Sequence, residues 1–228
     1  PACAQRNIKV IPATGANAES VAEYVIGAAI ALTRGFIPAT ISTLKGEWPR
    51  PRFSGYHEFL GKTIGIVGFG SIGRIVAKKA NAFGLKCLAY DPVLSGNEVA
   101  LEGFNVPLVS LKALLSQSDA VTLHLPFLPE TKGLFNLDIL SQMKAGACLI
   151  NTARGGIVDE FALAECLRSG HLGGAALDVF SAEPAKDLSH LVGIENLILT
   201  PHIAGVTHES NERVSQMIAD EVNLFLGA

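Results

Sequence analysis

Three side chains in the second half of the chain, Arg154, Glu183 and His202, are of types that together can move a proton and hold an anion. Each lies in a turn after a short apolar run: Asn151-Thr152-Ala153-Arg154-Gly155-Gly156, Phe180-Ser181-Ala182-Glu183-Pro184 and Thr200-Pro201-His202-Ile203-Ala204-Gly205. An imidazole titrates near neutral pH and suits proton transfer. A carboxylate beside it favours its charged form, raising its pKa, while the planar fork of an arginine suits two-point contact with a carboxylate. Singly, each residue has a plainer reading as a surface, capping or solvated group. Together, at successive strand ends, they make an acid/base set: His202 for proton transfer, Glu183 to orient and charge it, Arg154 to hold an anionic substrate.

A second constellation precedes them. The apolar run Thr63 to Val67 breaks into Gly68-Phe69-Gly70-Ser71-Ile72-Gly73, glycines spaced G-x-G-x-x-G. It reads as strand, tight turn and helix: Gly68 allows the turn, Gly70 lets the backbone approach a pyrophosphate, and Gly73 lets the helix pack closely on the strand. The next strand, Lys86 to Tyr90, ends in Asp91, 18 residues past Gly73, where a carboxylate can accept from the adenosine ribose hydroxyls. No arginine follows in Pro92 to Asn97 to neutralise a ribose phosphate, so the pattern favours NAD over NADP.

The elements that must position these groups alternate from Thr63 onward, which predicts an α/β fold of the Rossmann type, a doubly wound parallel sheet. Strands are expected near Val106 to Val109 and at Ala120 to Leu125, Ala147 to Asn151, Ala175 to Val179 and Leu197 to Leu199. Helices are expected at Ile72 to Phe83, Leu111 to Gln117, Leu137 to Met143, Glu160 to Arg168 and Glu209 to Phe225. Upstream, Lys9 to Ile11 predicts a short strand, and a long helix starts near Ala18 with Asn17 or a neighbour as its cap. Its apolar residues form one stripe, Val21, Val25, Ala28, Ala29 and Leu32, with Tyr24, Ile26 and Ile30 left over. Those three imply a second contact surface, expected to be a partner subunit. A further helix, Ile37 to Lys45, leads to an exposed connection, Gly46 to Arg52, in which Trp48 is expected to be a packing anchor.

Composition narrows the partners. In 228 residues the formal net charge is -3 with no basic block, which argues against nucleic acid or an anionic membrane surface. The 49% hydrophobic content supports a compact fold, and the longest apolar helix carries Glu23 and is too short to span a bilayer. Cys3, Cys87, Cys148 and Cys166 form no C-x-x-C pair, so neither a disulfide nor a metal role is expected; such thiols fit a cytoplasmic protein.

Four segments, Gly68 to Asp91, Asn151 to Glu160, Gly174 to Phe180 with Glu183-Pro184, and Pro201 to Gly205, resemble in order the D-isomer-specific 2-hydroxyacid dehydrogenases, with greatest similarity to the phosphoglycerate dehydrogenase type. The resemblance implies hydride transfer between the nicotinamide of NAD and the C2 of a small 2-hydroxy or 2-keto acid of the phosphoglycerate, glyoxylate or hydroxypyruvate type, in a homodimer. It gives His202 the proton, Glu183 the hydrogen bond to His202, and Arg154 the carbonyl and carboxylate. It places Ser71 and Ile72 on the pyrophosphate turn, Asp91 on the ribose, and Leu125 and Pro126 on the adenine side. Thr152, Ala153, Asp178 and Ala204 fall at the nicotinamide end, where Asp178 can accept from the carboxamide, and Arg154, His202 and Gly205 are also implied to bind the cofactor.

Family members carry an additional substrate domain, so the resemblance divides the chain into a junction remnant over 1–15, an NAD-binding domain with a dimerisation helix over 16–206, and a C-terminal crossover helix over 207–228. The upstream wall of the substrate cleft is expected to be missing. Two other readings share the fold: NADH-sensing corepressor-like scaffolds, which keep the same three side chains, and formate dehydrogenases, whose histidine pairs with glutamine where Glu183 stands here.

Overall fold

The computed structural model describes residues 2–227; Pro1 and Ala228, the outermost residues of the two flanking segments, lie outside them. In chain order the elements are α1 (Ala2–Gln5), α2 (Ala18–Thr33), α3 (Phe36–Leu44), α4 (Arg50–Phe53), β1 (Thr63–Val67), α5 (Ser71–Ala82), β2 (Lys86–Tyr90), β3 (Glu98–Leu101) and β4 (Phe104–Pro107). There follow α6 (Leu111–Gln117), β5 (Ala120–Leu123), α7 (Leu137–Leu140), β6 (Cys148–Asn151), α8 (Glu160–Arg168), β7 (Gly174–Leu177), a 3-10 turn (Ser189–Leu191), β8 (Leu197–Leu199) and α9 (His208–Leu226).

Six strands form one parallel sheet in the order β2-β1-β5-β6-β7-β8. Every residue of β5, β6 and β7 is buried, because helices cover both faces and no strand face meets water. The strand period of two sorts these residues between two cores. Leu149, Val121 and Ala175 face the core shared with α6 and α8, while Ile150, Ala120 and Ala176 face the one shared with α2 and α5. Strand order reverses between β1 and β5, the point beyond whose carboxyl ends open sheets of this kind bind ligands.

The expected strands and helices of the sheet are present, with ends shifted by at most three residues. Four expectations need correction. Lys9 to Ile11 forms no strand; Ile8 and Val10 are exposed, and no neighbouring strand offers hydrogen bonds. The strand placed near Val106 is the second arm of an antiparallel hairpin, β3 with β4, and its continuation meets the main sheet at Ala89, beside Leu108 and with the Val109 N–H donating to the Ala89 carbonyl at 2.9 Å. Trp48 is 78% exposed, so within this chain it anchors nothing. The leftover stripe on α2 is covered by the chain itself: Ile26 is buried, and Tyr24 and Ile30 pack on the α2 and α5 core. Asn17 occupies the position before α2 but makes no side-chain cap bond.

The first turns of α9 are tied to α2. Thr207 and Ser210 form a reciprocal cap, Ser20 Oγ lies 2.9 Å from Thr207 Oγ1, and Arg213 Nε donates to the Ala16 carbonyl at 2.8 Å. Beyond them the helix is largely exposed, ending in Leu224, Phe225 and Leu226. Among the described residues, no single helix is long and apolar enough to cross a membrane.

Candidate active site

The turn after β1 has the form its glycines require. Gly68 adopts a φ of 93°, open mainly to glycine, and a Cβ there would lie 2.6 Å from the His124 carbonyl oxygen. At Gly73 a Cβ would lie 2.4 Å from the Gly68 oxygen, so α5 packs on the turn only because that atom is missing. Gly70 differs: a Cβ there would meet nothing within 4 Å. Nothing inside the protein demands a glycine at position 70. The amides of the first turn of α5, from Ser71 and Ile72 onward, have no side-chain cap.

Asp91 is joined to this turn. Its Oδ2 accepts from the Phe69 N–H at 2.7 Å and its Oδ1 from the Val93 N–H at 2.9 Å. The carboxylate is therefore fixed beside the glycines with one edge outward. On the other side of β1, Leu125, buried, and Pro126, exposed, follow β5.

β6 delivers the arginine turn. The buried Asn151 side chain staples it, accepting from the Ala153 N–H at 3.0 Å and donating to the Arg154 carbonyl at 3.1 Å. Arg154 is exposed and donates to the Ala153 carbonyl at 2.6 Å; among the described residues no ion pair holds it. A Cβ at Gly155 would overlap the Phe180 carbonyl oxygen, so this turn and the start of the Glu183 loop are in backbone contact. Thr152 is 8% exposed and its Oγ1 is sealed without a hydrogen-bond partner. A buried hydroxyl left unpaired costs about 1–3 kcal/mol, and at the ligand edge of a sheet it is a place for a polar group from outside.

β7 and β8 set the histidine. Asp178, 1% exposed, accepts from Thr200 Oγ1 at 2.6 Å, the Ile203 N–H at 2.8 Å and the Ala204 N–H at 2.8 Å, and its carbonyl accepts from the His202 N–H at 2.8 Å. Thr200 Oγ1 is also 2.6 Å from Tyr24 Oη; with the threonine proton given to Asp178, Tyr24 is the donor. Burial raises the Tyr24 pKa. This network holds His202 at a φ of 58°, left-handed backbone that residues other than glycine rarely adopt. Gly205 abuts the Asn17 side chain, where a Cβ would lie 2.5 Å from Nδ2.

His202 Nδ1 lies 2.7 Å from Glu183 Oε2, and Glu183 Oε1 accepts from the Phe180 N–H at 3.0 Å. The hydrogen bond with His202 holds the Glu183 carboxyl below its usual range; the Phe180 N–H and the charge of Arg154 add to this, while slight desolvation opposes. The Arg154 field thus reaches the pair, and Nε2 of His202 is left facing away from it. A largely apolar cavity of about 640 Å³ opens beside the pair, lined by Phe180, Pro184, Leu188, Leu199 and Pro201.

The residues singled out from sequence are thereby brought to one edge of the sheet. Sequence reasoning missed the supports: Asn151, Thr200 and Tyr24. Tyr24 had a signal, since it fitted no apolar stripe; its phenol belongs to the polar network under His202.

A family model described as "D-isomer specific 2-hydroxyacid dehydrogenase, NAD binding domain" matches residues 26–204. The chain is 50% identical over 226 residues to a (S)-sulfolactate dehydrogenase of Chromohalobacter salexigens, covering 99% of this chain and 72% of that protein. It is 40% identical to a hydroxypyruvate reductase of Thermotoga maritima, with 98% and 72% covered, and 40% identical to a D-3-phosphoglycerate dehydrogenase of Mycobacterium tuberculosis, with 99% and 42% covered. Among solved structures, an NAD-dependent formate dehydrogenase from Staphylococcus aureus in complex with NAD superposes with a TM-score of 0.86 at 37% identity, over 99% of this chain and 67% of that one.

Proposed function

Because the chain belongs to the D-isomer-specific 2-hydroxyacid dehydrogenase family, we propose that its enzyme interconverts a 2-keto and a 2-hydroxy acid with a polar group on C3. The chain is an NAD-binding domain of an NAD-dependent oxidoreductase. The substrate class follows from what its relatives' names share: sulfolactate, hydroxypyruvate and phosphoglycerate carry sulfonate, hydroxyl or phosphate on C3. Sulfolactate leads, since that relative is 50% identical.

The cofactor fits the residues present. The open face at Gly70 and the uncapped amides of α5 suit the pyrophosphate, the fixed Asp91 carboxylate the ribose, Leu125 and Pro126 the adenine side, and the orphaned Thr152 hydroxyl, with Ala153, Asp178, Ala204 and Gly205, the nicotinamide end. When bound, NAD supplies or accepts the hydride at C2. Arg154 holds the substrate carboxylate and polarises the C2 carbonyl. His202 gives its Nε2 proton to the C2 oxygen during reduction and takes it back during oxidation, while Glu183 holds Nδ1 and stabilises the imidazolium. Asp178 acts chiefly as a brace, because its acceptors are engaged by the His202 loop.

One observation carries this reading: the 2.7 Å contact of His202 with Glu183, in the field of Arg154 and at the same sheet edge as the unpaired Thr152 hydroxyl. The test is NADH oxidation by the enzyme with sulfopyruvate, phosphohydroxypyruvate, hydroxypyruvate and pyruvate. Turnover of at least one of the first three above pyruvate is expected. NADH binding with no turnover across the panel would overturn it and favour a nucleotide-sensing scaffold.

The same proposal assigns residues 1–15 and α9 to the junction with a substrate domain. It takes the enzyme as a cytoplasmic homodimer without nucleic-acid or membrane partners. Support for the dimer lies in the exposed apolar residues Phe36, Ile41, Leu44 and Trp48 on and after α3.

A further inference from the structure

We infer that Glu160 is a positioning residue for the acid/base pair, gripping both ends of the loop that carries Glu183. Residues 181–187 of that loop are exposed and gain little from packing. Such a segment is ordered by a few specific bonds. At its start, the Ser181 N–H and the Ser181 Oγ hydroxyl both donate to Glu160 Oε1, each at 2.7 Å. At its far end His190 Nε2 lies 3.3 Å from Glu160 Oε2, the His190 carbonyl accepts from Arg168 at 2.6 Å, and the Phe161 ring stacks on the imidazole at 4.4 Å.

The Glu160 and His190 side chains are each 11% exposed, so their mutual contact is shielded from competing water. Glu160 opens α8, the helix that follows the Arg154 turn, and its backbone is fixed there by the Asp159 cap. One carboxylate therefore references the Glu183 loop to the arginine turn. The lever arm is short: Ser181 adjoins Phe180, whose N–H holds Glu183 Oε1.

The inference rests on the proposed roles of Glu183 and His202, and the experiment separates the two. The readout is the alkaline limb of the reductive kcat/KM profile, which reports the coupling of His202 to Glu183. Glu183→Gln should move that limb to lower pH. Glu160→Ala should move it the same way, lower kcat/KM by about ten- to a hundredfold, leave the Kd for NADH unchanged, and add no further displacement in the Glu183→Gln background. Glu160→Gln keeps an acceptor oxygen for Ser181 and should restore most of the wild-type profile. Should Glu160→Ala fail to fold, Ser181→Ala, which removes one donor from an exposed position, should move the limb in the same direction by less. A limb unmoved in Glu160→Ala, or in its stand-in Ser181→Ala, while Glu183→Gln moves it would overturn the role of Glu160; a limb unmoved in Glu183→Gln would overturn the proposed pair itself.

Discussion

At His202 an uncommon backbone and a charged partner coincide. A non-glycine residue at a φ of 58° persists only where its surroundings over-determine it, and here the Asp178 carboxylate and carbonyl do so. Replacing His202 by Ala should keep the fold and lower turnover by roughly a hundredfold or more, the usual scale for a lost general acid or base; steady-state kinetics with NADH checks it. In Glu183→Gln the imidazolium loses a charged partner while a hydrogen-bond acceptor remains. The sign follows from the geometry: a carboxylate 2.7 Å from Nδ1 favours the ionised pair, and removing its negative charge takes that support from the imidazolium. The reductive pH profile should therefore fall earlier as pH rises.

Among the elements, the glycine turn separates what the fold needs from what the ligand needs. Gly73→Ala places a Cβ against the Gly68 oxygen and should cost about 1–3 kcal/mol by overpacking, seen as a lower Tm without cofactor. Gly70→Ala places one in open space, so the unliganded melting curve should match wild type while NAD affinity in calorimetry drops. Both functions were legible from glycine spacing, because the strand, turn and helix around it are local. The α8 and β8 limits were also legible, the second from a continuous apolar run. The β3–β4 hairpin was not: its turn, Glu102-Gly103, lacks the Asn-Gly or Asp-Gly signal, and nothing in Glu98 to Leu101 marks a pairing partner. Nor was the Glu160 grip, since sequence patterning says nothing about which surface loop a helix-start carboxylate will meet.

For the molecule as a whole, pH and assembly are the relevant variables. His124, after β5, has its Nδ1 sealed without a partner, and burial pushes its pKa down to about 3 from a usual 6.5. Below pH 6.5 the unfolded chain binds a proton that the folded one refuses, so stability contributed by the neutral ring is present above that pH and lost as pH falls toward about 3. Denaturant titrations should show a loss on the order of 1 kcal/mol per pH unit in this window, reduced in His124→Gln. Trp48 was expected to pack by virtue of its size, yet the chain offers it no cover. Trp48→Ala should leave the monomer's melting curve unchanged and weaken self-association in sedimentation equilibrium; a dimer of undiminished affinity would locate the contact elsewhere.

The missing atom at Gly155 has a consequence for motion. The arginine turn sits against the Phe180 carbonyl, closer than any residue but glycine allows, which couples it to the start of the Glu183 loop. Slow amide exchange is therefore expected to report a single opening event for both segments rather than two.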